Sequence, residues 1–223
     1  MILDSVERAL TLSETLHIPS LVEYIRRFLF DQLEPNAPVA GDVVDLDECP
    51  YFSPQSRIST YRHAIATFYA PSELAGPSGM HREIIRSNPS WFGGKPRYDT
   101  ILIDTDSDTP GLDGMTVARA LAFVSFTNAN VKYDCVVVEW FETDGDAPDA
   151  STGMWIVQPE LDEAGERVVG LVHVDSIIRA CHLIGVYGTT SIPSDFEYTD
   201  SLDAFRRFYV NWYADYHAHE ILL

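Results

Sequence analysis

The sequence predicts an α+β protein: an antiparallel β-barrel or strongly bent β-meander of about six strands, flanked by N-terminal helices and one long C-terminal helix. Three observations predict it. Apolar residues recur at helical spacing only near the two ends, and the middle is built of runs rich in β-branched and aromatic residues broken by turn clusters. No crossover helices separate those runs, so a doubly wound parallel sheet is disfavoured. With 46% hydrophobic residues in 223, the chain can bury a substantial core.

Taken in order, Ser5 to Leu16 reads as helical. A fresh start at Ile18-Pro19-Ser20 leads into a stripe of Leu21, Val22, Ile25, Phe28 and Leu29 that Pro35 stops. Arg26 and Arg27 face away from this stripe and are expected in solvent. Residues 34–56, with four prolines, read as an ordered, irregular connector. RISTYRHAIATFYA reads as strand, PSELAGPSG as loop, MHREIIRS as a short helix and YDTILID as strand. MTVARALAFVSF, the turn TNAN and VKYDCVVVEWF form a hairpin by spacing. GMWIVQPE, the turn LDEAGE and RVVGLVHVD repeat it, and SIIRACHLIGVYG adds a strand or a turn of helix. In DSLDAFRRFYVNWYADYHAHEILL, the residues Leu202, Phe205, Phe208, Tyr209, Trp212 and Tyr216 fall on one stripe of a final helix and form a packing face. The expected organisation is a helical segment 1–35, a connector 36–56, a β-rich core 57–199 and a C-terminal helix 200–223.

Charge narrows the function classes. Fifteen Lys+Arg against 34 Asp+Glu give a net charge of −19, unlike a chain that coats nucleic acid with its whole surface. Residues 57–97 are the exception: Arg57, Arg62, Arg82, Arg86, Lys95 and Arg97 face only Glu73 and Glu83 as acids. This basic island either docks against acidic parts of the same protein or contacts an anion or nucleic acid, with Tyr61, His81 and Trp91 as stacking partners. No apolar run is long enough for a membrane span, and Asp4 and Glu7 sit where a signal peptide carries positive charge. Three widely spaced cysteines (Cys49, Cys135, Cys181) make neither a disulfide framework nor a zinc knuckle. An intracellular protein is therefore expected.

Catalytic patterns are sparse. Asp104, Asp106 and Asp108 alternate like calcium ligands, but Thr109 and Met115 stand where an EF-hand loop needs glycine and glutamate, so a solvated turn is expected. Asp104 at a strand end, with Glu139 on another strand, raises the alternative of a ribonuclease-H-like, metal-dependent nuclease remnant. His217 and His219, two apart on a helix, diverge, and Asp215 with His219 reads as a surface pair. Cys135 and Cys181 read as buried thiols. With no Walker loop, dinucleotide fingerprint or nucleophile elbow, the expectation is a non-enzyme without cofactor or metal.

The stretches IPSLVEYIRRFLFDQL, ECPYF, HAIATFYAPSELAGPSGMHREIIRSNPSW, YDTILIDTD, ARALAFVSF, YDCVVVEWF, STGMWIVQPE, VHVDSIIRACHLIGVYG and DSLDAFRRFYVNWYADYHAHE, spanning nearly the whole chain, resemble the C-terminal region of Plavaka-type, CACTA-like transposase-related proteins of mushroom-forming fungi. In that family the catalytic carboxylates lie in an upstream domain, so the resemblance implies no catalytic residue here and a stand-alone tail, a transposon remnant or a domesticated fragment. ARALAFVSF, Val138-Glu139-Trp140-Phe141 and Ser176-Ile177-Ile178 also resemble a bromo-adjacent-homology (BAH) barrel, although Glu142-Thr143-Asp144 replaces the Tyr-Arg-Pro often following Trp-Phe. These resemblances imply a nuclear, non-catalytic interaction domain associated with chromatin or with a transposase complex. A protein partner is expected at Trp140, Phe141 and Trp155, with nucleic-acid contact through the island as the alternative.

Overall fold

The computed structural model describes residues 3–71, 77–188 and 194–222. The chain is α+β, dominated by a strongly curled antiparallel sheet, a half-barrel, with a few helices. Among the described residues, thirteen strands replace the expected six: β1 (Leu3–Arg8), β2 (Arg57–Tyr61), β3 (His63–Tyr69), β4 (Met80–Asn88), β5 (Arg97–Tyr98), β6 (Thr100–Asp104), β7 (Met115–Asn128), β8 (Val131–Thr143), β9 (Ile156–Pro159), β10 (Val169–His173), β11 (Ile177–Cys181), β12 (Leu183–Gly185) and β13 (Phe208–Val210). The helices are α1 (Ala9–Leu16), α2 (Leu21–Leu33), α3 (Ser201–Ala204) and α4 (Tyr216–Leu222). Among the described residues, no helix is long and apolar enough to cross a membrane.

The β7–β8 hairpin is the spine. Its two long apolar runs are what the sequence predicts, but the loop is tighter than TNAN. Asn128 pairs with Val131, leaving Ala129 (φ 48°) and Asn130 (φ 65°) as a two-residue turn with both residues left-handed, the twist that matches paired strands. One edge of β7 serves β8; the other is shared between β2 (Ser59↔Ser125) and β6 (Thr100↔Arg119). A bulge at Leu121 lies where one neighbour gives way to the other. There the Ala120 N–H donates to the Asp99 carbonyl at 3.0 Å, and the Ser87 hydroxyl donates to the Leu121 carbonyl.

The free edge of β8 is likewise shared. The Trp140 N–H donates to Val168 O and the Trp140 carbonyl accepts from Glu160 N–H, both at 3.0 Å, so β9 and β10 lie end to end along it. The expected second hairpin is therefore reduced to the Leu161↔Arg167 bridge, because both segments gain more by pairing with β8. From β9 the ladder passes to β13 and β12, and β12 continues β11, which pairs with β6; the sheet thus curls back towards its start.

Both faces of the spine are buried, which explains its near-continuous apolar runs. On one face Val124, Phe126, Tyr133, Cys135 and Val137 meet Leu21, Ile25, Phe28 and Leu29 of α2. Further along, Val117 and Phe141 meet Leu102, Val157, Phe208 and Leu222 inside the curl. On the other face Ala118, Ala120, Phe123, Val136 and Val138 lie under a small three-stranded sheet, β3-β4-β5, through Ala64 and Ile85.

Several local expectations are corrected. Residues 3–8 are strand rather than helix: their alternating exposure fits a half-covered edge, and Ser5 Oγ meets Thr60 Oγ1 of β2 at 2.7 Å. MHREIIRS is β4, drawn into register against β3. The single C-terminal helix over 200–223 is broken into α3, β13 and α4. Phe208 and Val210 face the curl on an alternating, not a helical, period, because β9 and β12 offer backbone partners to residues 208–210. Arg26 and Arg27 are not left in solvent. Arg26 donates to the carbonyls of Leu46 (2.6 Å), Cys49 and Pro50, and Arg27 to those of Gly41, Asp42 and Val44, pinning the irregular connector to α2.

Candidate functional site

The six bases of the island do not converge on one face. Arg57 opens β2 beside Arg8 of β1 and is exposed. Arg62, between β2 and β3, pairs with Asp4 at 2.7 Å. Arg86 (3.8 Å) and Arg97 (2.9 Å) share Asp99 and stack over Trp91, their guanidinium carbons 5.0 and 5.3 Å from the ring centre. Lys95 reaches Glu197 (3.0 Å) and Asp200 (3.6 Å), and the hydrogen bond to Glu197 raises its pKa. Arg82 stands exposed on β4. Four of the six are thus held by acidic residues of the same chain; among the described residues, Arg57 and Arg82 have no acidic partner.

The expected partner-binding aromatics do not form an exposed patch. Phe141 is 2% exposed, edge-on to Phe208 at 5.8 Å and under the Arg167 guanidinium, so it is core, not contact surface. Trp140 is half-buried against the cluster below β3–β4 and crowds the backbone of Gly170; Trp155 is half-buried beside the curl's interior. Set against the clusters on the two faces of the curled sheet, such rings gain more from packing than from water contact.

The structure separates the two carboxylates of the nuclease alternative. Asp104 pairs in register with Met115 and Glu139 with Arg119, on opposite edges of β7 and four residues apart, about 13 Å along the strand. Glu139 is engaged by Arg119 (3.5 Å), which also holds Asp203 (2.9 Å) and lies over Tyr98. The acidic turn is closed on itself: Asp104 accepts from Ser107, and Asp106 from Thr109 Oγ1 (2.7 Å) and the Asp108 N–H, which lowers the Asp106 pKa. Among the described residues, no three His, Cys, Asp or Glu side chains converge on a metal position. His217 turns inward, and His219 meets Trp212 edge-on and stacks with Tyr213, so the pair diverges as helix geometry requires. Burial pushes the Cys181 thiol up to about 12 and the Cys135 thiol higher still, so both are inert at neutral pH.

Two features lie beyond the sequence reading. The first is a buried ion cluster. Arg179 on β11, 5% exposed, grips Asp215 through both terminal nitrogens, lies 3.0 Å from His217 Nδ1 and 3.7 Å from Glu83, and rests 4.8 Å above Phe68. Glu83 accepts from the Ala180 N–H, yet burial raises its pKa. The cluster locks β4, β11 and the start of α4 together.

The second is the outward face of β3–β4. Ile65 lies opposite Ile84 and Tyr69 opposite Met80, with Thr67 and Arg82 between them. All four apolar residues are exposed, by 42, 46, 63 and 40% respectively. Cross-strand neighbours on one face of a pair touch, so Ile65 with Ile84 and Tyr69 with Met80 form two apolar rungs of the outward ladder, with Thr67 and Arg82 as the polar rung between them. No residue spacing within either segment signals it while MHREIIRS reads as helix; only the strand register does.

Compared with known proteins, the chain matches no family model, no curated protein and no solved structure.

Proposed function

We propose that this chain is a non-catalytic, transposon-derived protein-interaction domain that works in the nucleus, in a chromatin- or transposase-associated assembly. The observation that carries the interaction reading is the exposed apolar ladder Ile65–Ile84 and Tyr69–Met80. Its sheet is braced from behind by the spine and by the Arg179 cluster. Apolar rungs on a rigid sheet, in a chain of net charge −19, favour a protein partner that supplies apolar contact there and basic groups towards the acidic surface beyond it. The long stretches resembling Plavaka-type transposase tails support the transposon origin, and the segments resembling a BAH barrel support a chromatin setting. The basic island offers the nucleic-acid alternative little, since most of its charge is already paired within the chain.

Fluorescence anisotropy with purified core histones as a basic protein probe tests the reading. Wild-type chain is expected to bind in salt that screens exposed charges, about 0.3 M. Ile84→Glu, on an exposed position, is expected to fold normally and weaken binding about tenfold or more, while Arg57→Ala, on β2 and outside this face, leaves it unchanged. Binding that vanishes with modest salt, or that ignores Ile84→Glu, overturns the proposal.

A further inference from the structure

The small sheet has an unfinished side. β3 is its terminal strand, bonded to β4 alone among the described residues. The parity of that ladder is fixed at its two ends: the Arg62 carbonyl accepts from Ser87 N–H (2.9 Å), and the Ala70 N–H donates to the Gly79 carbonyl (2.7 Å). In an antiparallel pair such bonds recur every second residue. Ala64, Ala66 and Phe68 therefore spend their backbone groups on β4, and His63, Ile65, Thr67 and Tyr69 direct theirs away from it, to the open edge.

Beside that edge runs a groove of about 550 Å³, with Ala64, Ile65, Ala66 and Thr67 on one wall and Val174, Ile177 and Ile178 on the other. The small Ala64 and Ala66 leave depth for apolar side chains, and Asp175, 87% exposed in side chain, stands on the rim. An edge strand with open hydrogen-bonding groups, in a groove as long as a short strand, is the geometry of strand addition.

We infer that the β3 edge captures an extended segment of a basic protein partner, which adds as a further strand with alternate apolar side chains in the groove and a Lys or Arg towards Asp175. The inference rests on the protein-interaction reading and deepens it. The exposed Asp175 at the groove, in a chain of net charge −19, favours a basic segment, and the outward groups of His63, Ile65, Thr67 and Tyr69 supply sequence-independent affinity.

An acetylated, amidated (Lys-Val)₄ peptide is the probe, with (Glu-Val)₄ as control. On the unmutated chain, the Lys-Val peptide is expected to slow amide exchange at Ile65 and Thr67 selectively, and the Glu-Val peptide is not. Thr67→Pro removes one outward N–H without touching the β3–β4 ladder and is expected to weaken binding about fivefold or more. Thr67→Val, which keeps the N–H, is expected to bind like wild type. Unchanged exchange at Ile65 and Thr67, or equal binding by Thr67→Pro, overturns the edge inference. The histone test with Ile84→Glu then decides separately whether the interaction reading stands. A concentration-dependent dimer in sedimentation that Thr67→Pro abolishes assigns the edge to a second copy of this chain and also overturns the inference.

Discussion

Arg179 shows how a single side chain organises a region. It is buried with two carboxylates, so removing it strands charge instead of merely deleting a contact. Arg179→Ala is expected to cost about 3–5 kcal/mol in urea unfolding. Its neighbour Glu83 gives the cluster a pH signature. Burial, working against the Ala180 N–H and Arg179, raises the folded-state pKa above the ordinary 4.5. A raised carboxyl pKa contributes stability that is complete below the unfolded value and is lost as pH rises through the folded value. Stability therefore carries a component that declines above pH 4.5. That decline vanishes in Glu83→Gln and deepens in Arg179→Ala, where the carboxylate loses its cation. None of this is legible in sequence, since Glu83, Arg179 and Asp215 lie on three distant segments.

At the level of elements, legibility follows from how many faces are buried. The β7–β8 runs are apolar on both faces and read as strands, and the α2 stripe reads as a helix because nothing competes with its period. Phe205, Phe208, Tyr209 and Trp212 also sit at helical spacing, but residues 208–210 are claimed by β9 and β12, and a three-residue strand leaves no period to detect. β1 and β4 are edge or half-exposed strands whose composition suits a helix equally well. The apolar ladder was hidden for the same reason: Ile65 and Ile84 become neighbours only once β4 is a strand. The β7–β8 turn carries a testable imperfection. Ala129 holds φ 48°, a left-handed conformation that costs an L-residue about 1 kcal/mol and costs glycine little. Ala129→Gly is therefore expected to raise stability by about 1 kcal/mol, read as a higher urea midpoint at unchanged slope.

For the whole molecule, the charge arithmetic is legible and its placement is not. The island at 57–97 reads as a possible nucleic-acid contact only while its acidic partners are invisible. Asp4, Asp99, Glu197 and Asp200 come from segments before it, beside it and about a hundred residues after it. With those pairs made, little of the island's charge is left free for an anion, and the outside of the small sheet presents Ile65, Tyr69, Met80 and Ile84 to solvent in two cross-strand pairs. The account's central claim is that this sheet is where a protein partner sits. Hydrogen–deuterium exchange of the chain, alone and saturated with core histones at about 0.3 M salt, tests it most directly. The account predicts new protection concentrated in residues 63–69 and 80–86. Protection confined to other parts of the surface, with those two strands exchanging as in the free chain, would contradict it.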